Sequence, residues 1–245
     1  MKRVKTGIDG LDQITFGGLP EGSTTLITGS CGTGKTILTL QFLYKGALEG
    51  EPGLYITFEE SREKILQQAE QFNWDLESLE KKKLFNIFVA ETDDIGDTLE
   101  SIKEAVSRIN AKRLVLDSLT TMMEHGVIYH SNISKDMSNM RRQQSKIKFP
   151  PKEHSVSRRD VYYIIGEINQ LNVTSLLVSE VADQSSYLSR DTISEFAADG
   201  VILLQISTLG GEHERLLSVR KMRSTKIDVS LFPLKFTTNG IMVEV

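Results

Sequence analysis

The chain has little of several things. Its 245 residues include one cysteine, one tryptophan and five prolines, and aromatic residues make up 7% of the total. A single cysteine cannot form an internal disulfide, so a packed core must hold the fold, as expected in a reducing, cytoplasmic setting. No apolar run approaches the ~18 residues of a membrane span. Lys2, Arg3 and Lys5 are basic but precede no apolar segment, so no secretory signal is expected. Positive charge is also lacking overall: the formal net charge is −4, which excludes a broadly basic binder of nucleic acid. What remains is 39% hydrophobic and 25% charged residues, the composition of an ordinary globular chain with enough length for a sizeable core.

The charge is unevenly spread. Residues 141–159 hold seven basic side chains (Arg141, Arg142, Lys146, Lys148, Lys152, Arg158, Arg159) against Glu153 alone. That segment carries +6 and leaves −10 for the rest. It also contains Phe149-Pro150-Pro151 and reads as an inserted loop at about 122–157. Two readings stand side by side: a solvated loop, or a surface for anions or nucleic acid.

Elsewhere the pattern alternates. Short apolar runs at Thr24–Thr28, Leu54–Phe58, Leu84–Ala90, Arg113–Asp117, Val173–Ser179 and Gly200–Ile206 read as buried strands. Between them, apolar residues at helical spacing, such as Ile65, Leu66, Ala69 and Phe72, predict helices; others are expected at about 98–109 and 160–171. Strand alternating with helix predicts an α/β domain over 1–245: a mainly parallel twisted sheet with helices on both faces. The runs at 215–222, 234–237 and 241–245 lack helices between them and predict an antiparallel C-terminal edge.

The first strand runs into Gly29-Ser30-Cys31-Gly32-Thr33-Gly34-Lys35-Thr36, followed by Ile37 and a helical pattern. This is G-x-x-x-x-G-K-[ST] in its required strand–loop–helix setting, a phosphate-binding loop. Its glycines free backbone N–H groups to face phosphate oxygens, and the helix N-terminus adds its dipole. Lys35 is placed to meet the terminal phosphates of ATP, and the Thr36 hydroxyl to ligate Mg²⁺. Cys31 is either a redox-sensitive thiol or a small filler. Asp117, at the end of its strand, is the expected second metal-side acid. Glu59 and Glu60 end the strand after the first helix, on the same sheet edge as the loop if the crossover is right-handed. One or both could activate water; the alternative is an acidic first turn for the helix at Ser61.

Together these strings resemble the KaiC-like branch of the RecA superfamily of P-loop ATPases. Thr6-Gly7-Ile8-Asp9-Gly10-Leu11-Asp12, Gly17-Gly18-Leu19-Pro20-Glu21-Gly22, Gln41-Phe42-Leu43-Tyr44, Phe72-Asn73-Trp74-Asp75, Ser118, Glu195–Ile202, Lys221-Met222-Arg223-Ser224-Thr225 and Gly240-Ile241-Met242-Val243 carry the resemblance. It implies a RecA-like core and a homo-oligomeric ring, usually a hexamer, with ATP between adjacent protomers. It also implies water activation by Glu59 and Glu60, with Lys221, Met222, Arg223 and Thr225 reaching the neighbour's nucleotide. Departures are visible: Glu195-Phe196 stands where clock relatives carry a phosphorylated Ser-Thr pair, Ile227 replaces a histidine, and Thr238 replaces a ribose-contacting acid. Autophosphorylation is therefore not expected. The plan is closest to single-domain archaeal KaiC-like proteins, including RadA paralogues.

The expected function is slow, Mg²⁺-dependent ATP hydrolysis that switches conformation or partners. A second hypothesis is an ATP-controlled grip on single-stranded DNA through 141–159, in a recombination accessory protein. A P-loop kinase comes third, since paired glutamates favour water as the acceptor.

Overall fold

The computed structural model describes residues 2–90, 94–126, 157–182, 185, 187–209 and 212–245. A short antiparallel pair, β1 (Arg3–Val4) and β2 (Leu19–Pro20), flanks α1 (Leu11–Ile14). Then follow β3 (Thr24–Gly29), α2 (Lys35–Leu48), β4 (Gly53–Thr57), α3 (Arg62–Glu70), α4 (Leu76–Lys81), β5 (Phe85–Val89) and α5 (Ile95–Ile109). Next come β6 (Arg113–Asp117), α6 (Leu119–His125), α7 (Arg158–Gln170), β7 (Thr174–Glu180) and α8 (Ser194–Ala197). The chain finishes with β8 (Gly200–Leu209), β9 (Glu212–Met222), β10 (Phe232–Thr237) and β11 (Gly240–Val243).

Nine strands form one sheet in the order β11-β10-β9-β8-β3-β7-β6-β4-β5. Pairings from β8 to β5 are all parallel, and β8-β9, β9-β10 and β10-β11 are antiparallel, as the missing C-terminal helices predict. Successive side chains on a strand face opposite ways, and the core divides accordingly. Ile27, Tyr55, Val115 and Leu176 pack with α2 on one face. Leu26, Leu54, Ile56, Leu114, Leu116 and Leu177 pack with α5, α6 and α7 on the other. Strands covered on both sides need apolar residues at every position, hence their unbroken hydrophobic runs.

Helix starts follow their caps. The Ser61 hydroxyl accepts from the Lys64 amide at 3.4 Å, which begins α3 as expected. Asp94 accepts from the Gly96 amide at 2.7 Å, so α5 starts at Ile95, earlier than the expected 98. The Asp160 carboxylate accepts from the Ser157 amide at 2.8 Å, and α7 begins at Arg158. Arg158 and Arg159, read from sequence as loop, thus lie in a helical turn. The start of the expected insertion also moves. Met122 and Met123 sit in α6 and are buried in the second core, so residues 122–125 belong to the body. Residues 127–156 lie outside the described residues.

Far from the phosphate loop, one buried cation braces two elements. Arg113, 1% exposed at the start of β6, donates to Glu51 Oε2 at 2.7 Å and to the Phe42 carbonyl of α2 at 2.7 Å. Its guanidinium lies 4.7 Å from the Phe42 ring centroid. Only a glycine leaves room for it: a Cβ at Gly46 would stand 2.2 Å from Arg113 Nε.

Candidate active site

Parallel pairing brings the strand ends level. Gly29 pairs with Glu180, and Thr57 with Asp117, so β3, β7, β4 and β6 end on one edge of the sheet. A cavity of about 330 Å³ opens there. The loop contributes Cys31, Gly32, Gly34, Lys35, Thr36 and Ile37 to its wall; β4 and its exit contribute Thr57, Glu59 and Glu60. Asp117, Ser118, Glu180 and Phe236 complete it. Glutamates, loop and strand-end aspartate, picked out separately in the sequence, therefore line one cavity.

The loop has the shape its glycines allow. Gly34 sits at the N-cap of α2 with φ +102°, a conformation that side chains with a Cβ rarely adopt. Thr33 is buried, and its hydroxyl donates to the Ser30 carbonyl at 2.8 Å. Lys35 Nζ donates to the carbonyls of Gly29 (2.9 Å) and Ser30 (2.8 Å), so it lies folded along the loop. Cys31 is exposed. Ile37 is half-buried against the first core.

Asp117 is the best-held acid. Its Oδ2 accepts from the Thr36 hydroxyl at 3.1 Å and from the Tyr55 hydroxyl at 2.6 Å. Burial pushes its carboxyl above the ordinary value, and the bonds from Tyr55 and Thr36 offset part of that rise. Burial, then the neighbouring Asp117, raises the Tyr55 phenol well above its usual value, which keeps it a donor.

The two glutamates are fastened differently. Glu59 Oε1 accepts from the hydroxyls of Ser118 (3.3 Å) and Thr121, at the start of α6. Both carboxylate oxygens of Glu60 accept from Gln68 Nε2 of α3, at 3.0 and 2.9 Å. Sequence reasoning missed Tyr55, Gln68, Thr121, Glu180 and Phe236. Tyr55 reads there as one more strand hydrophobe, and the others carry no local motif.

Lys221, Met222, Arg223 and Thr225 lie elsewhere. Gly200 pairs with Met222 on one side and with Thr25 on the other, which sets the end of β9 level with the start of β3. That is the sheet edge opposite the phosphate loop, about 15–20 Å away at strand rise. Lys221 Nζ donates to the carbonyls of Glu195 (3.0 Å), Phe196 (3.0 Å) and Ala198 (2.6 Å). Desolvation, and then Arg223, lowers its pKa. Arg223 is exposed and pairs with Asp199 at 3.0 Å. Met222 is different: its thioether is buried in the first core, against Gly200. Thr225 Oγ1 accepts from Arg3 at 2.9 Å.

Comparison with known proteins shows the family and the fold. A family model described as the KaiC ATPase matches residues 4–143 and 145–245. The chain belongs to the KaiC family of ATPases. Its fold matches the crystal structure of a KaiC-like protein from the hyperthermophilic archaeon Pyrococcus horikoshii OT3, with a TM-score of 0.80 and 33% identity over 100% of this chain and 99% of that one. Among curated relatives, the circadian clock oscillator protein KaiC of Picosynechococcus sp. is 33% identical over 99% of this chain and 44% of its own length. KaiC 1 of Synechocystis sp. gives the same 33%, 99% and 44%. The chain thus spans less than half of these clock proteins. No helix among the described residues is long and apolar enough to cross a membrane.

Proposed function

We propose that this KaiC-family chain is a Mg²⁺-dependent ATPase whose site is completed by a second copy. The observation that carries the reading is the single cavity lined by Lys35, Thr36, Asp117, Glu59 and Glu60.

Each residue has a role its chemistry supports. Backbone N–H groups of residues 29–37 and the N-terminus of α2 cradle the phosphates, and Lys35 exchanges its loop carbonyls for phosphate oxygens. The Thr36 and Asp117 oxygens are hard donors of the kind Mg²⁺ prefers, and their contact sets them at one point. Among the described residues no group of three or more His, Cys, Asp or Glu could hold a metal. Thr36 and Asp117 would therefore share the ion with phosphate and water oxygens, as such sites do. When bound, Mg²⁺ offsets charge on the phosphates. Glu59 and Glu60 orient and deprotonate the attacking water.

Lys221 and Arg223 cannot serve the phosphates of their own chain from the opposite sheet edge. We assign them to a neighbour's nucleotide, in a ring of the hexameric kind, where they would stabilise developing phosphate charge. Met222 would contribute through its backbone alone, and Thr225 through its hydroxyl. Partner switching driven by ATP in the cytoplasm is the corresponding cellular role. The single-stranded-DNA alternative gains no observation, because only residues 157–159 of its segment are described.

Mixing two dead variants tests this. Lys35→Ala and Arg223→Ala chains should each hydrolyse ATP poorly. Disassembled, mixed in equal amounts and reassembled, they should recover about a quarter of the parental rate, since a quarter of neighbouring pairs join two intact halves. No recovery from chains shown to co-assemble would refute the shared site.

A further inference from the structure

The turn that carries Arg223, on the edge opposite the cavity, is tied to the start of the chain. Arg3, on β1, donates from Nη2 to Thr225 Oγ1 at 2.9 Å. Thr225 in turn donates its hydroxyl to the Arg223 carbonyl at 3.3 Å and its amide to the Met222 carbonyl at 3.3 Å. The other arm of Arg3 is anchored: Nη1 donates to the carbonyls of Gly18 (2.8 Å) and Thr15 (3.1 Å). Those carbonyls flank the turn after α1, where Phe16, Gly17 and Gly18 all hold positive φ.

The tie falls where the backbone needs support. Ser224 holds φ +56°, a conformation that residues with a Cβ keep only where their surroundings enforce it. Arg223 directly precedes it. The Arg223 guanidinium is guided by Asp199 Oδ1 at 3.0 Å and by the Phe196 carbonyl at 3.2 Å. Asp199 is itself fixed, its Oδ2 accepting from the Thr24 amide at 3.1 Å. The Arg223 backbone is braced from two sides. Its amide donates to the Asp199 carbonyl at 2.8 Å, and its carbonyl is held through Thr225 by Arg3. Arg3 is half-buried and spends three N–H groups inside its own chain, so it acts on the turn and not on a phosphate.

We propose that Arg3 is a positioning residue for hydrolysis in the neighbouring copy. Through Thr225 it sets the backbone from which Arg223 extends. The proposal rests on reading Arg223 as a contributor to a neighbour's nucleotide. Stabilisation of developing phosphate charge depends steeply on where the cation stands. A loosened turn leaves Arg223 present but misplaced, so turnover falls while nucleotide affinity, set by the other edge, holds. The planar fork bonds two carbonyls and a hydroxyl at once, which a lysine cannot reproduce.

The test is steady-state ATP hydrolysis by the full chain, with assembly checked by mass in solution. Arg3→Met should lower kcat about ten-fold and leave KM within about two-fold of the parent. Arg3→Lys should show the same loss, and it carries the test if Arg3→Met does not assemble. Mixing assigns the defect to one half-site. Reassembled in equal amounts with Lys35→Ala, whose cation edge is intact, Arg3→Met should rise from about a tenth to about a quarter of the parental rate. Reassembled with Arg223→Ala, it should reach only the average of the two chains. Parental kcat in an assembled Arg3 variant overturns the proposal. So does recovery with Arg223→Ala, or a loss confined to KM. If Lys35→Ala and Arg223→Ala co-assemble without complementing each other, the failure lies in the shared site itself, and the role of Arg3 falls with it.

Discussion

Alanine at Gly46 should change the sign of its effect when Arg113 is removed. On propensity alone, Gly→Ala inside a helix stabilises by about 1 kcal/mol. Here the new methyl would meet Arg113 Nε at 2.2 Å and Cδ at 2.4 Å, far inside contact distance. The guanidinium must move, and with it go the bonds to Glu51 and to the Phe42 carbonyl, both 2.7 Å. Charge-assisted bonds of a buried group contribute about 1.5–3 kcal/mol each. Losing part of two of them outweighs the propensity gain, so Gly46→Ala should cost about 2–4 kcal/mol net. In an Arg113→Ala background nothing remains to clash with, and the same substitution should stabilise by about 0.5–1 kcal/mol. The coupling between the two sites is therefore about 2.5–5 kcal/mol, well above the error of a double-mutant cycle. The assay is thermal or urea unfolding of the four chains, where 1 kcal/mol corresponds to about 2–4 °C for this length. If Gly46→Ala has the same sign and size in both backgrounds, the brace between α2 and β6 does not exist as described.

Other predictions concern the site. Glu59→Gln/Glu60→Gln should keep affinity for ATP while turnover falls by about 10²–10⁴, measured by nucleotide titration beside phosphate release; unaltered turnover removes both residues from the chemistry. Asp117→Asn should abolish Mg²⁺-dependent hydrolysis yet raise the nucleotide-free melting temperature. The sign follows from the raised carboxyl: its ionisation costs stability at neutral pH, and that cost vanishes as pH falls through its folded value. The gap between parent and variant should therefore close on acidification, and a gap that widens refutes the assignment.

Much of this molecule was legible because its chemistry is written in local strings. The loop at 29–36, the acids at strand ends and the apolar runs between them each sit on consecutive residues. Parallel strand order then forces their ends onto one edge. Short elements were harder to see. Helix α6 spans only Leu119–His125, too few turns for periodicity, and its methionines were read as the start of the insertion. The supporting contacts were illegible for another reason. Gln68 meets Glu60 and Tyr55 meets Asp117 only through register and helix placement. The placement of Lys221 and Arg223 on the far edge needed the pairing of β8 with both β3 and β9 before it had meaning.

That placement gives the chain a polarity. One edge offers a phosphate loop and the other offers cations, so contact between copies in the shared-site reading is head to tail. Such contacts are heterologous: they close into rings where the rotation allows and grow into open filaments where it does not. A solitary chain then holds two halves of different sites and no complete one. Specific activity becomes a function of protein concentration, rising as copies meet and collapsing on dilution, and one defective copy silences a partner whose own sequence is intact.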